Sequence, residues 1–108
     1  MKLSDYQQAA IDTAIYPANA RIVYPALGLV GEAGEVAEKV KKVIRDNNGS
    51  FSEEKKVEIA KELGDVLWYI ANLASDIDMS MDLIATMNID KLQSRKERDM
   101  LSGSGDNR

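Results

Sequence analysis

The chain has 108 residues, 44% of them hydrophobic and 30% charged, and a formal net charge of −4. This length predicts one domain, and the acidic balance disfavours binding to a nucleic acid polymer, whose phosphates attract basic surfaces. Because the chain has no cysteine and no histidine, disulfides, thiol chemistry, zinc sites built from those residues and imidazole-based triads are excluded.

The first half of the chain predicts two helices separated by a proline-marked connection. Helix 1 begins after Ser4, a suitable N-cap, and runs to about Ile15. The connection "YPANARIVYP" follows, and Pro25 fits the first turn of helix 2, which runs to about Arg45. No segment has the pattern of a strand with a partner, so the fold class predicted here is all-α.

The second half predicts two more helices and a polar tail. "DNNGS" is the clearest turn, and Ser52 then caps helix 3, which runs to about Ile77. Ser80 caps helix 4, from Met81 to about Arg98. We therefore expect one domain over residues 1–98 and a flexible Gly/Ser-rich tail over 99–108.

These helices predict a four-to-five-helix bundle whose centre is an antiparallel hairpin of the two long helices. A chain of this size has a small core, so we expect oligomerisation to a homodimer or homotetramer to complete the bundle. No apolar run reaches the roughly 20 residues of a membrane span, and "MKLSDYQQAA" lacks the features of a signal peptide. We expect a cytoplasmic protein with no membrane partner.

A repeat with an offset of 30 residues links the two long helices. When "LVGEAGEVAEKV" (29–40) is placed over "IAKELGDVLWYI" (59–70), Glu32 falls on Glu62 and Glu35 falls on Asp65. In both helices the two acids lie beside the same edge of the apolar arc, because positions i and i+3 share a face. Antiparallel packing through these arcs brings four carboxylates together. Such a group requires cations or protonation, and Mg²⁺, with Mn²⁺ as a substitute, suits an all-oxygen site.

Interior glycines accompany these acids, although each costs roughly 0.5–1 kcal/mol of helix stability relative to alanine. Gly31 and Gly34 lie on or beside the acidic side of helix 2, and Gly64 matches Gly34 in the repeat. We expect the missing side chains to allow close approach of another backbone, of the waters of a metal ion or of a ligand.

Taken alone, the charged side chains also admit simpler interpretations. Acid pairs three residues apart are common on solvated helices, and Glu38, further from the apolar arc, fits a surface acid as well as a supporting role. Asn88, Lys91 and Arg95 form one stripe on helix 4, which by spacing fits an ordinary polar face. The sequence therefore admits a second interpretation besides the metal site: a non-catalytic helical interaction module with a solvated acidic face.

The segments "GEAGEVAE", "ELGDVLWYIANLA" and "MNIDKLQSRKER" resemble the MazG-like, all-α nucleoside triphosphate pyrophosphohydrolases over roughly residues 25 to 98. The resemblance implies Mg²⁺-dependent cleavage of a nucleoside triphosphate to the monophosphate and pyrophosphate. It also implies a metal-ligand set given by the paired acidic motif: Glu32, Glu35, Glu62 and Asp65. Members of the family often begin the first motif with two adjacent glutamates, and the first of these is Gly31 here.

Further roles are expected outside the metal ligands, and the resemblance favours phosphate contacts for the stripe on helix 4. Lys91 and Arg95 are expected to hold the distal phosphates, with Asn88 on sugar or phosphate oxygens. Glu35 or Glu38 is expected to align the attacking water, and Lys39 lies on the same side of helix 2. Tyr69, one turn beyond Asp65, is expected to reach the sugar or base. Trp68 points elsewhere around the helix, towards the core or an interface, with stacking on a base as the less favoured alternative. For the tail, the less favoured alternative to flexibility is folding over bound nucleotide, with Arg108 contacting phosphate.

Overall fold

Four α-helices account for most of the chain in the computed structural model, which describes residues 1–108. They are α1 (Leu3–Asp12), α2 (Val23–Asp46), α3 (Glu53–Asp76) and α4 (Met81–Glu97), with a 3₁₀ turn at Ala18–Ala20 between α1 and α2. No strand is present, so the all-α prediction is confirmed. None of the helices combines the length and apolar character needed to cross a membrane.

Serine caps define the starts of α3 and α4, as the sequence predicts. The Ser52 hydroxyl accepts a hydrogen bond from the Lys55 amide at 3.2 Å, and the Ser80 hydroxyl accepts one from the Leu83 amide at 3.0 Å. Each bond satisfies an amide that has no carbonyl partner within its helix. The two helices end within one residue of their predicted ends.

The predicted start of α1 after Ser4 is wrong. The Lys2 amide donates a hydrogen bond to the Asp5 carboxylate at 3.1 Å, and this contact closes the first turn from Leu3 onward. An acid at the third helical position can reach back in this way. The cap therefore moves to Lys2, and Ser4 lies inside the helix.

The predicted end of α1 at Ile15 is also wrong, since the helix stops at Asp12. The Thr13 hydroxyl donates to the Ala10 carbonyl at 2.8 Å, taking an acceptor that a further turn of helix would use. Pro17, four residues on, disfavours helical geometry in the residue before it. Side-chain competition for the backbone thus shortens the helix.

The hairpin of α2 and α3 is the largest packing contact of the fold, and α1 packs against α3 and α4. A small cluster of Ala10, Ala71, Ala74 and Met81 forms the buried core. Gln7 is buried beside it and ties three segments together. Its side-chain amide donates to the Met79 carbonyl at 3.0 Å and its oxygen accepts from the Met81 amide at 3.0 Å.

The single chain is open rather than tightly packed. Its radius of gyration is 16.7 Å, against about 13 Å for a typical compact domain of this length. Only nine of the 108 residues are buried. Several large apolar side chains on α2 and α4 remain mainly exposed: Val23, Leu27, Val30, Ile44, Met87 and Ile89.

The end of α3 anchors the connection between α1 and α2. Ile22 has φ 71° and ψ −58°, the conformation of a strained γ-turn, which the Val23 amide closes by donating to the Arg21 carbonyl at 2.8 Å. Its amide donates to the Asp76 carboxylate at 2.9 Å, as does the Tyr16 hydroxyl at 2.9 Å, and Arg21 pairs with the same carboxylate at 3.5 Å. Asp76 therefore holds the strained turn in place.

These contacts determine the ionisation of Asp76 and Tyr16. Burial raises the pKa of Asp76, but the hydrogen bonds from Ile22, Tyr16 and Arg21 outweigh burial, and the resulting pKa lies below the usual value. Burial, followed by the hydrogen bond to Asp76, raises the pKa of Tyr16 to about 12. The charged carboxylate is thus the form that the fold stabilises.

We expect Asp76→Asn to lower the free energy of unfolding at pH 7 by about 1.5–3 kcal/mol, because hydrogen bonds to a charged acceptor are lost. Since the folded pKa is depressed, this stabilisation is present above the unfolded pKa of about 3.9 and is lost as the pH falls through the folded pKa. Urea unfolding at pH 7 and at pH 3 measures both effects. Asp78→Asn is the control, because Asp78 makes no side-chain hydrogen bond or ion pair. Equal losses in the two variants would contradict the assignment.

Candidate metal centre

Three carboxylates converge where α2 packs against α3. Glu32 of α2 and Glu62 and Asp65 of α3 each offer one oxygen atom, and these three atoms all lie within 4.8 Å of one another. The helical repeat places Glu62 and Asp65 on one face of α3, and the hairpin brings Glu32 opposite them. Atoms at this separation can bind one cation together.

The three negative charges repel each other. Burial, followed by the charges of Asp65 and Glu62, raises the pKa of Glu32 above its usual value. Burial and the charge of Asp65 likewise raise the pKa of Tyr6. A hard divalent cation with oxygen ligands would remove this repulsion, so the residues present fit a metal site.

The other two acids of the motif lie outside this group. Glu35 is exposed and is not among the three converging carboxylates, although its charge contributes to the raised pKa of Glu32. Glu38 pairs with Lys41 at 2.8 Å and with Lys42 at 4.0 Å. The Lys41 hydrogen bond, followed by the Lys41 charge, lowers the pKa of Glu38. In this structure Glu38 therefore resembles a surface acid balanced by lysines.

A cavity of about 270 Å³ opens beside the cluster and is lined by Glu32, Asp65, Trp68 and Tyr69. Tyr69 thus lies beside two of the acids. Trp68 lines the same cavity, so the expectation that it points away from the acids is wrong. Its expected packing against the core is confirmed, since it contacts the buried cluster. Its indole nitrogen donates to the Thr13 hydroxyl at 2.7 Å, and its ring meets Tyr69 edge-on with centroids 5.0 Å apart. The i, i+3 spacing from Asp65 to Trp68 was the sequence signal for this placement.

The position of Tyr69 depends on a glycine that the motif does not include. A Cβ atom at Gly28 would overlap the ring carbons of Tyr69. By contrast, apart from the neighbouring residues and the backbone of the same helix, no atom lies within 4 Å of a Cβ built at Gly31, Gly34 or Gly64. Within the single chain, therefore, no other backbone approaches those three glycines, and their predicted use by a ligand or a metal's waters stays a prediction.

The stripe on α4 lies in a second cavity, of about 300 Å³, lined by Ile84, Met87, Asn88, Lys91 and Asp106. Arg95 continues the stripe one turn further along α4 and is buried, with 5% of its surface exposed. The two cavities share no lining residue. The single chain therefore does not bring this stripe and the acid cluster into one cavity. Lys39, on α2, is half-buried and pairs with no acid.

Known proteins show similarity that agrees with this geometry. The family model described as the MazG nucleotide pyrophosphohydrolase domain matches residues 25–99. The chain belongs to the MazG nucleotide pyrophosphohydrolase family. The MazG match includes every acid of the cluster together with Lys91 and Arg95, and it leaves α1 and residues 100–108 outside.

A full-length relative extends the similarity to the rest of the chain. The "Gene 37 protein" of Mycobacterium phage L5 is 47% identical over 114 aligned positions, which cover 100% of both chains. The relative therefore extends beyond the MazG match to α1 and the tail. No solved structure matches the chain.

Proposed function

We propose that this MazG-family chain is a Mg²⁺-dependent nucleoside triphosphate pyrophosphohydrolase, which converts a (d)NTP into the (d)NMP and pyrophosphate. The observation that carries the proposal is the convergence of three carboxylate oxygens within 4.8 Å beside a cavity with two aromatic walls. A triphosphate carries about four negative charges, so an acidic site binds it only through cations.

Glu32, Glu62 and Asp65 would hold the metal ion, with Glu35 as a fourth ligand. When bound, Mg²⁺, or Mn²⁺ in its place, would neutralise the charge of the site and lower the pKa of a bound water molecule. The chain has no cysteine or histidine, and this chemistry requires no nucleophilic side chain.

The remaining residues orient the substrate and the water. Glu35 or Glu38 aligns a water for in-line attack on the α-phosphorus, and the P–O bond to pyrophosphate breaks. Lys91 and Arg95 hold the distal phosphates, and Asn88 binds sugar or phosphate oxygens. Tyr69 contacts the sugar or base, with Lys39 as a further contact. Positioning and charge stabilisation supply most of the catalysis in such transfers.

A homodimer or homotetramer completes this site. The acids and the α4 stripe occupy separate cavities, and the apolar side chains of α2 and α4 are uncovered. A second copy that covers these faces would bring its own stripe to the acids. Light scattering at micromolar concentration is expected to show a mass of at least two chains, and a monodisperse monomer would contradict this assembly.

The direct test is pyrophosphate release from a panel of ribo- and deoxyribonucleoside triphosphates with Mg²⁺, and again with a chelator. We expect release from at least one triphosphate and none with the chelator. The setting that we propose is the cytoplasmic nucleotide pool, with no membrane or nucleic acid polymer as partner. The alternative, a non-catalytic helical interaction module, predicts no product and unchanged metal binding after replacement of all four acids by amides.

A further inference from the structure

The C-terminal tail turns back on α4. Gly103 and Gly105 have φ angles of 106° and 89°, which favour glycine, and they allow the chain to reverse. Arg108 then closes the turn, since its guanidinium donates to the carbonyls of Gly105 at 2.6 Å and Leu101 at 3.0 Å. Arg98 donates to the Arg108 carbonyl at 2.7 Å. The tail therefore has a defined arrangement against the end of α4.

This turn places the Asp106 carboxylate beside Lys91 and Arg95, the two cationic side chains of the α4 stripe. Lys91 Nζ lies 2.7 Å from Asp106 Oδ1, and Arg95 Nη2 lies 3.4 Å from the same oxygen. Arg95 Nη2 also donates to the Asp106 carbonyl at 2.6 Å. The hydrogen bond and charge of Lys91, followed by the hydrogen bond of Arg95, lower the pKa of Asp106.

The contact with Asp106 leaves one hydrogen-bond donor of Arg95 without a partner. Arg95 is 5% exposed, yet its buried Nε has no hydrogen-bond partner. A guanidinium presents five donors in a fork that matches the oxygens of a phosphate group. Asp106 is 81% exposed in its side chain and carries one charge, so its ion pairs are of the weak, solvent-screened kind.

We propose that Lys91 and Arg95 form an anion site whose built-in occupant is the Asp106 carboxylate, and that a di- or triphosphate displaces it. The tail then competes with other anions for Lys91 and Arg95. It leaves these two side chains when a more highly charged anion binds. This inference rests on the proposed function for the identity of the ligand. The anion site itself rests on the buried arginine, the lysine and the carboxylate that pairs with them.

The test is a calorimetric titration of the full chain with inorganic pyrophosphate, without metal, in three forms. Asp106→Asn is expected to bind about two- to fivefold more tightly than wild type, the range that an exposed ion pair supports. Asp99→Asn is the matched control and is expected to bind as wild type does, because Asp99 lies in the same segment without an ion pair. Lys91→Met is expected to lose binding.

Equal or weaker binding by Asp106→Asn would overturn the proposal, as would retained binding by Lys91→Met. This titration involves neither hydrolysis nor the acid cluster. Tighter binding in Asp106→Asn together with inactivity on every triphosphate would therefore support the anion site while refuting the proposed function. Hydrolysis of a triphosphate, together with equal pyrophosphate affinity in Asp106→Asn and wild type, would support the proposed function while refuting the competition by Asp106.

Discussion

Replacing Glu62 by glutamine is expected to lower kcat by about 10²–10⁴-fold, because the metal ion supplies several kcal/mol of transition-state stabilisation. Glu62 contributes one of the three converging oxygens. The same substitution removes one of the repelling charges, so the metal-free protein is expected to be more stable than wild type. Steady-state pyrophosphate release and thermal unfolding measure the two effects.

Metal-dependent stability separates loss of the metal site from general damage. Mg²⁺ at a hundredfold excess over its Kd should stabilise the wild-type protein by about 2.7 kcal/mol, and Glu62→Gln should lose most of this gain. Glu58→Gln is the matched control, since Glu58 lies one turn earlier on α3 and pairs with Lys55 at 3.3 Å. Wild-type activity and a wild-type Mg²⁺ effect in Glu62→Gln would contradict the metal site.

Replacing Gly28 by alanine is expected to displace Tyr69 and to raise KM for the triphosphate. The added methyl group would overlap the Tyr69 ring, and overpacking of this kind costs about 1–3 kcal/mol. Alanine recovers about 0.5–1 kcal/mol of helix stability, so the net loss in the free energy of unfolding is about 0–2.5 kcal/mol. Urea unfolding and steady-state kinetics measure the stability and KM.

Gly31→Ala provides the contrast, because, apart from the neighbouring residues and the backbone of the same helix, no atom lies within 4 Å of a Cβ built at that position. This variant is expected to gain the helix stability that alanine adds relative to glycine, and therefore to unfold at a higher urea concentration than wild type. In a Tyr69→Ala background, Gly28→Ala should cost little, since the two residues in contact are coupled. An unchanged cost in that background would show that Tyr69 is not the group displaced.

Local chemistry made much of the fold and part of the site predictable. The caps at Ser52 and Ser80 depend on side chains within three residues, and both were correct. The periodicity of the acids placed Glu32 against Glu62 and Asp65 once the hairpin was assumed. Glu35 lies about 4.5 Å further along the axis of α2 than Glu32, and periodicity alone does not show which acids converge at a fixed register.

Other features of the structure depend on contacts between distant parts of the chain, which sequence patterns do not report. The strain at Ile22 is balanced by Asp76, 54 residues away. The tail reaches Lys91 only because glycine permits two left-handed residues and Arg108 closes the turn. A Gly/Ser-rich composition predicts freedom in the chain and gives no indication of where it will dock.

The most direct test of the central claim is the mass of the products formed from a triphosphate with Mg²⁺ in ¹⁸O-labelled water. Attack on the α-phosphorus predicts one labelled oxygen in the nucleoside monophosphate and none in pyrophosphate. Label in pyrophosphate, or products consisting of a diphosphate and orthophosphate, would contradict the proposed reaction.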